Sequence, residues 1–135
     1  MRNIEATGDF VVNVVDDGRA EQMNRTSGEY PPEVDEFTVA GVTPAPCTRV
    51  RPPRVREAPI SMECRLTQIL PVGRGPHSLV LGEIVYFHVR TELYDAATGR
   101  IDMHRLHPVG RLAGNWYTHV HDLFEMKRPD PTYPG

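Results

Sequence analysis

Residues 76–90 read PHSLVLGEIVYFHVR, and their pattern decides the fold class. The stretch is the longest apolar run in the chain and is rich in β-branched and aromatic residues, which suit a pleated, packed strand. Successive side chains of a strand point to opposite faces. Strict alternation puts Leu79, Leu81, Val85, Phe87 and Val89 on one face and Val80, Ile84, Tyr86 and His88 on the other. Both faces are largely apolar, so the spacing predicts a central strand, covered on both sides or curled into a barrel wall. Gly82 interrupts the run and predicts a bend or a close approach by backbone or ligand. Glu83 and His88 are ionisable groups inside it, five apart and so on opposite faces by alternation. A buried charge needs a partner, and Arg65 on the neighbouring segment is the expected partner of Glu83. His88 is expected to be a hydrogen-bonded core histidine.

Upstream, Ser61 to Leu70 alternates as well. Met62, Cys64, Leu66, Gln68 and Leu70 share one face, and Glu63, Arg65 and Thr67 share a wet one. Val72-Gly73-Arg74-Gly75 has turn composition, so these two strands are expected to form an antiparallel hairpin. Earlier still, Arg2 to Gly8 reads as the tail of a helix, with Gly8 suited to its C′ position. Phe10 to Val15 reads as a short buried strand. Asp16-Asp17-Gly18 marks a turn, followed by one or two helical turns over Ala20–Asn24. Residues 26–59 are irregular, with a helix start at Asp35-Glu36-Phe37, and their prolines exclude a central strand. Asp95 to Gly99 is a turn, and Pro108, Gly110 and Gly114 predict a loop. Trp116 to Phe124 fits a last strand or a helical turn, and the tail KRPDPTYPG is expected to pack over the surface. The fold class expected is mainly β with short flanking helices: a small antiparallel barrel or sandwich.

With 135 residues, the chain suits one domain with one core. Its 39% apolar and 24% charged content marks a globular rather than disordered chain. A net charge of −3 without a basic block argues against a nucleic-acid surface. No apolar run approaches the roughly 20 residues that span a bilayer, and residues 1–10 lack the apolar core of a signal peptide. Cys47 and Cys64 have no metal-like spacing and read as reduced thiols of a cytoplasmic protein. Phosphate-loop, dinucleotide and nucleophile-elbow glycine patterns are all missing from the sequence.

Several residues are suited to chemistry. His104 and His107 lie three apart. His119 and His121 share a strand face, and with Glu125 they form His-x-His-x-x-x-Glu, a pattern that suits a metal. It is similar to the first metal motif of cupins, with Gly114 upstream, although the further histidine of a cupin has no counterpart. The plain alternative is a group of surface histidines. Arg111 lies in GRLAGNWY, between glycines and ahead of Trp116 and Tyr117. There it suits a phosphate or a flat, electron-rich ring, or alternatively pairs with a carboxylate. His77 precedes the central run and is placed to reach a ligand at a barrel mouth.

Several segments, in order along nearly the whole chain, carry a resemblance: RNIEATGDFVVNVV, YPPEVDEFTVAG, MECRLTQIL, HSLVLGEIVYFHV, IDMHRLHPVGRLAGNWY and the closing KRP. The chain resembles the flavin reductase-like proteins with an FMN-binding split barrel. The resemblance implies a twisted antiparallel β-barrel with flanking helices, and a homodimer with FMN near the dimer interface. Members use NAD(P)H to reduce flavin, or hold FMN for another electron transfer. It implies that Asn3, Arg111 and Tyr117 contribute to the cofactor region and that His77 stands at the nicotinamide side. Asn3 matches the asparagine of a Lys-Asp-Thr-x-x-Asn-Ile segment whose first part would precede Met1. By the same resemblance, residues 1–135 are expected to be one such domain lacking its first strands, with an open sheet edge. The alternatives are a non-catalytic binding module, or fragment unable to hold FMN, and a cupin-like metal protein using His119, His121 and Glu125.

Overall fold

The computed structural model describes residues 2–129, so Met1 and residues 130–135, most of the proline-rich tail, lie outside it. The predicted hairpin is present and dominates. Strands β4 (Ile60–Val72) and β5 (His77–Val89) run antiparallel over their full length, joined at residues 73–76. Strand β1 (Asp9–Asn13) adds to the other side of β4, giving a sheet of order β1-β4-β5. Three two-stranded antiparallel pairs surround it: β2 (Pro44–Ala45) with β3 (Arg54–Val55), β6 (Tyr94–Asp95) with β7 (Arg100–Ile101), and β8 (Val109–Arg111) with β9 (Tyr117–His119). The mainly-β antiparallel expectation holds. Among the described residues these sheets do not close into a barrel.

Four short helices flank the strands: α1 (Arg2–Thr7), α2 (Ala20–Thr26), α3 (Glu36–Ala40) and α4 (Met103–Leu106). Their ends follow local chemistry. Asp35 caps α3 by accepting the Phe37 N–H at 3.1 Å, and Asp102 caps α4 by accepting the His104 N–H at 3.0 Å. Gly8 and Gly41 close α1 and α3 in left-handed backbone, where a Cβ would be strained. Helix α4 instead ends on His107, which takes the left-handed conformation with φ 44° and ψ 57°.

Four expectations need correction. First, residues 77–89 are not central. Strand β5 pairs only with β4, and its other side carries no strand among the described residues. Nor are its faces fully covered: Leu79, Leu81, Ile84, Tyr86 and Phe87 are exposed, Phe87 at 56%. Second, two β-bulges break the strict alternation. Val85 is the extra residue on β5 and Thr67 on β4, because Glu63 faces Tyr86 while Cys64 faces Ile84, and Leu66 faces Gly82 while Gln68 faces Leu81. The first bulge brings Ile84 onto the face of Phe87, and Glu83 onto that of His88. Glu83 does lie across from Arg65, but both are exposed, so this is a surface neighbour pair rather than a buried one. Third, Val109–Arg111 is strand, not loop, because it pairs with β9. Fourth, the face of β4 that carries Glu63 is not wet there: Glu63 is wholly buried.

Gly82 behaves as its position in the run suggests. A Cβ on it would stand 2.5 Å from Cζ of Phe10 and 3.0 Å from the Arg65 carbonyl oxygen. Gly82→Ala forces the Phe10 ring aside in the layer where Phe10 lies opposite Cys64. Overpacking of this kind typically costs about 1–3 kcal/mol, so urea unfolding should show a loss in that range. A variant as stable as the parent would mean that the ring has room to move.

Candidate functional site

The β8–β9 hairpin builds one site. Arg111 and Tyr117 are register partners across it, and Gly114 turns the chain between them with φ 61°. The Arg111 guanidinium donates to the Tyr117 hydroxyl and, at 2.7 Å, to the Gly114 carbonyl, with Cζ 4.7 Å from the centre of the Tyr117 ring. One planar cation is thus held by hydrogen bonds and by the face of an aromatic ring. The hairpin forms one wall of an open cleft of about 760 Å³, and Ala20, Glu21 and Met23 of α2 belong to the other. That volume lies within the roughly 300–1,000 Å³ range of small-molecule sites. Arg111 and Tyr117, singled out in the sequence, are brought together. Asn3 lines a separate cleft with Tyr30 and Pro31, and His77 is an exposed residue at the base of the β4–β5 turn, opposite Val72.

The histidines form a second cluster, around Asp17 of the turn that follows β1. Asp17 bonds His119 (Oδ1 to Nδ1, 2.6 Å) and, through Oδ2, Nε2 of His121. The His107 ring meets that of His121 edge-on, centroids 4.9 Å apart. The His119 hydrogen bond is the chief reason that the Asp17 carboxyl sits below its ordinary range. Partial burial opposes it, while His121 adds to the lowering. Glu125, the third member of the sequence motif, stands outside this cluster. His119 also borders the Arg111–Tyr117 cleft.

A third cluster is buried. The Glu63 carboxylate accepts backbone N–H groups from Thr48 (2.7 Å), Arg49 (2.6 Å) and Val50 (3.2 Å). It also meets Nε2 of His88 at 2.5 Å. Burial alone would raise its pKa. The Thr48 amide, the His88 ring and the Arg49 amide outweigh that penalty and hold it at about 2. Cys47 lies beside Glu63 and His88. Burial, reinforced by the Glu63 carboxylate, pushes the Cys47 thiol up, away from the reactive thiolate. With its oxygens committed to four donors, Glu63 serves to fasten residues 48–50 onto the sheet. His88 is hydrogen-bonded as expected. The only hint of the Glu63 role in the sequence is a carboxylate amid apolar neighbours.

Comparison with known proteins places these observations in a family. The model of the flavin reductase like domain matches residues 1–106, ending just before Arg111. Nitrilotriacetate monooxygenase component B from Bacillus cereus is 36% identical with a TM-score of 0.85, over 93% of this chain and 63% of that one. The 2-nitrobenzoate 2-nitroreductase NbaA of Pseudomonas fluorescens is 33% identical with a TM-score of 0.86, over 99% of this chain and 66% of that one. A Shewanella frigidimarina protein with a split barrel domain of flavin reductase type is 25% identical with a TM-score of 0.85, over 95% of this chain and 64% of that one. The chain therefore spans under two thirds of the length of each of these relatives. A family match over most of the chain, with the backbone superposing on split-barrel proteins nearly end to end, makes this chain a member of the flavin reductase-like domain family.

Proposed function

We propose that the chain binds FMN in the Arg111–Tyr117 cleft and, as part of a flavin reductase-type oxidoreductase, passes a hydride from NAD(P)H to the flavin. One observation carries this reading: a fixed guanidinium and an aromatic ring share the wall of a cleft of ligand size. The residues fit the group. FMN has a phosphate that calls for a cation and a flat ring that calls for an aromatic or cationic surface. Arg111 would hold negative charge on the flavin, and Tyr117 would pack near it and orient the guanidinium. The flavin, when bound, supplies the hydride-accepting chemistry, while the protein supplies binding and access.

Asn3 and His77 enter the proposal differently. Neither lines the Arg111 cleft of its own chain, so they would meet a shared flavin only across a homodimer. The exposed apolar residues of β5 supply a surface suited to such an assembly. The test is a titration of the 135-residue chain into FMN, followed by flavin fluorescence, and then NADH and NADPH oxidation with FMN present. Quenching with saturation and turnover above the uncatalysed background are the expected results. A folded sample that leaves FMN fluorescence unchanged would remove the cofactor from the proposal.

A second reading has its own support. The open flanks of the β1-β4-β5 sheet, with Val12, Leu79 and Phe87 exposed on it, suit a partial barrel that binds without catalysing. Flavin binding without nicotinamide oxidation would select it.

A further inference from the structure

We infer that Asp17, His107 and His121 form a binding site for a single divalent zinc-type ion, with His119 as the residue that positions Asp17. One ligand atom from each of the three lies within 4.8 Å of the others. In a tetrahedral zinc site, metal–ligand bonds of roughly 2.0–2.2 Å put neighbouring ligand atoms about 3.3 Å apart. Small rotations of these part-exposed side chains would bring the three to that spacing.

The backbone beneath them is already fixed. The Asp17 N–H donates to the His107 carbonyl at 3.1 Å, and Asp16 bridges to Pro108. The Val109 N–H donates to the Val15 carbonyl at 2.9 Å, and the Val120 N–H to the Pro108 carbonyl at 3.1 Å. Three segments distant in sequence, 15–17, 107–109 and 119–121, are therefore laced into one patch before any ion arrives. His107 holds the only positive φ outside glycine among the described residues, and that turn carries its ring to His121. Strained backbone of this kind persists where the surroundings over-determine it.

The donor set selects the ion. Two imidazoles and a carboxylate suit zinc and its first-row neighbours rather than calcium or magnesium, which prefer all-oxygen shells. The carboxylate is divided: His119 holds Oδ1, while Oδ2 is shared with His121. Outer hydrogen bonds of this type orient a ligating carboxylate. The side chains of Asp17 and His121 are 31% and 53% exposed, so the ion would keep a coordination position open to solvent. The site does not depend on flavin binding.

The experiment is equilibrium dialysis of untagged chain against Zn²⁺, with metal counted by mass spectrometry and Co²⁺ absorbance as the geometric readout. About one zinc per chain is expected, with the intense visible bands of low-coordinate cobalt. His121→Ala and His107→Asn should each abolish stoichiometric binding. Asparagine tolerates left-handed backbone, so the second variant preserves the turn, and circular dichroism checks the fold of both. His119→Ala should weaken binding by about 10–100-fold, as loss of an outer-shell partner does, while retaining the cobalt bands. Glu125→Gln should bind as the parent does. Sub-stoichiometric zinc in the parent overturns the site. So does binding that survives both His107→Asn and His121→Ala, or that needs Glu125.

Discussion

Glu63→Gln is expected to lower the unfolding free energy by about 3–5 kcal/mol, the usual cost of breaking a buried ionic cluster from one side. The carboxylate is fully inaccessible, and its two oxygens face opposite groups of donors. Oε1 meets Thr48 N–H and His88, and Oε2 meets Arg49 and Val50 N–H. Glutamine has one oxygen to offer. Whichever way the amide turns, its NH₂ confronts backbone N–H groups that have no other acceptor in this arrangement, and an unsatisfied buried donor is costly. The effect also has a pH signature. The folded-state pKa of Glu63 is depressed from its ordinary 4.5 to about 2. Its contribution is therefore complete above about 4.5 and is lost as pH falls toward 2, and a shift of that size corresponds to about 3 kcal/mol. The gap between parent and variant, measured by urea unfolding, should be widest near pH 7 and should shrink at pH 3. A gap equal at both pH values would mean that the charge of Glu63 contributes nothing beyond its shape.

Glu63 also shows where local sequence reasoning stops. Period-2 alternation separates Glu63 from Cys64, and the two do point to opposite faces of β4. Whether a face is wet depends on what lies over it. Here the cover is the chain around residues 47–50, within a proline-rich stretch with no period to read, bound by its own amides. The same limit explains β5. Its composition identifies a strand and its turn identifies the hairpin, because both signals are local. Its place at the flank of the sheet depends on pairing partners far along the chain. The bulges at Thr67 and Val85 reverse part of the face assignment without changing a single residue type, which is why alternation alone separated Glu83 from His88. In the histidine cluster, His119 and His121 are legible from their spacing. Asp17 is not, because the contact with His119 closes over 102 residues. Arg111 is legible as a cation set among glycines and aromatic residues, but its contact with Tyr117 is not, because the proline and glycines there read as loop and only the β8–β9 register brings the two face to face.

For that pair, Arg111→Met is expected to weaken FMN binding by about 100-fold, equivalent to about 2.7 kcal/mol. Methionine retains an apolar stem of similar length and removes only the charged fork. In the proposed site that fork does two jobs at once. It spends donors on the Gly114 carbonyl and the Tyr117 hydroxyl to fix its plane, and presents the remaining N–H groups to the ligand. Arg111→Lys separates charge from geometry: a lysine supplies the charge but cannot hold both anchors and a ligand in one plane. Its affinity should fall between those of methionine and arginine. Because the Arg111–Tyr117 contact is exposed, such a stack contributes only about 0.5–1 kcal/mol to folding. Urea unfolding of Arg111→Met should therefore stay within about 1 kcal/mol of the parent, and lost binding would not reflect lost structure. Added salt should weaken flavin binding by the parent more than by the methionine variant, since screening acts on the charge that methionine lacks. If the methionine variant instead binds FMN as tightly as the parent at low salt, the flavin phosphate and ring are held elsewhere, and the β8–β9 cleft loses its role as the cofactor site.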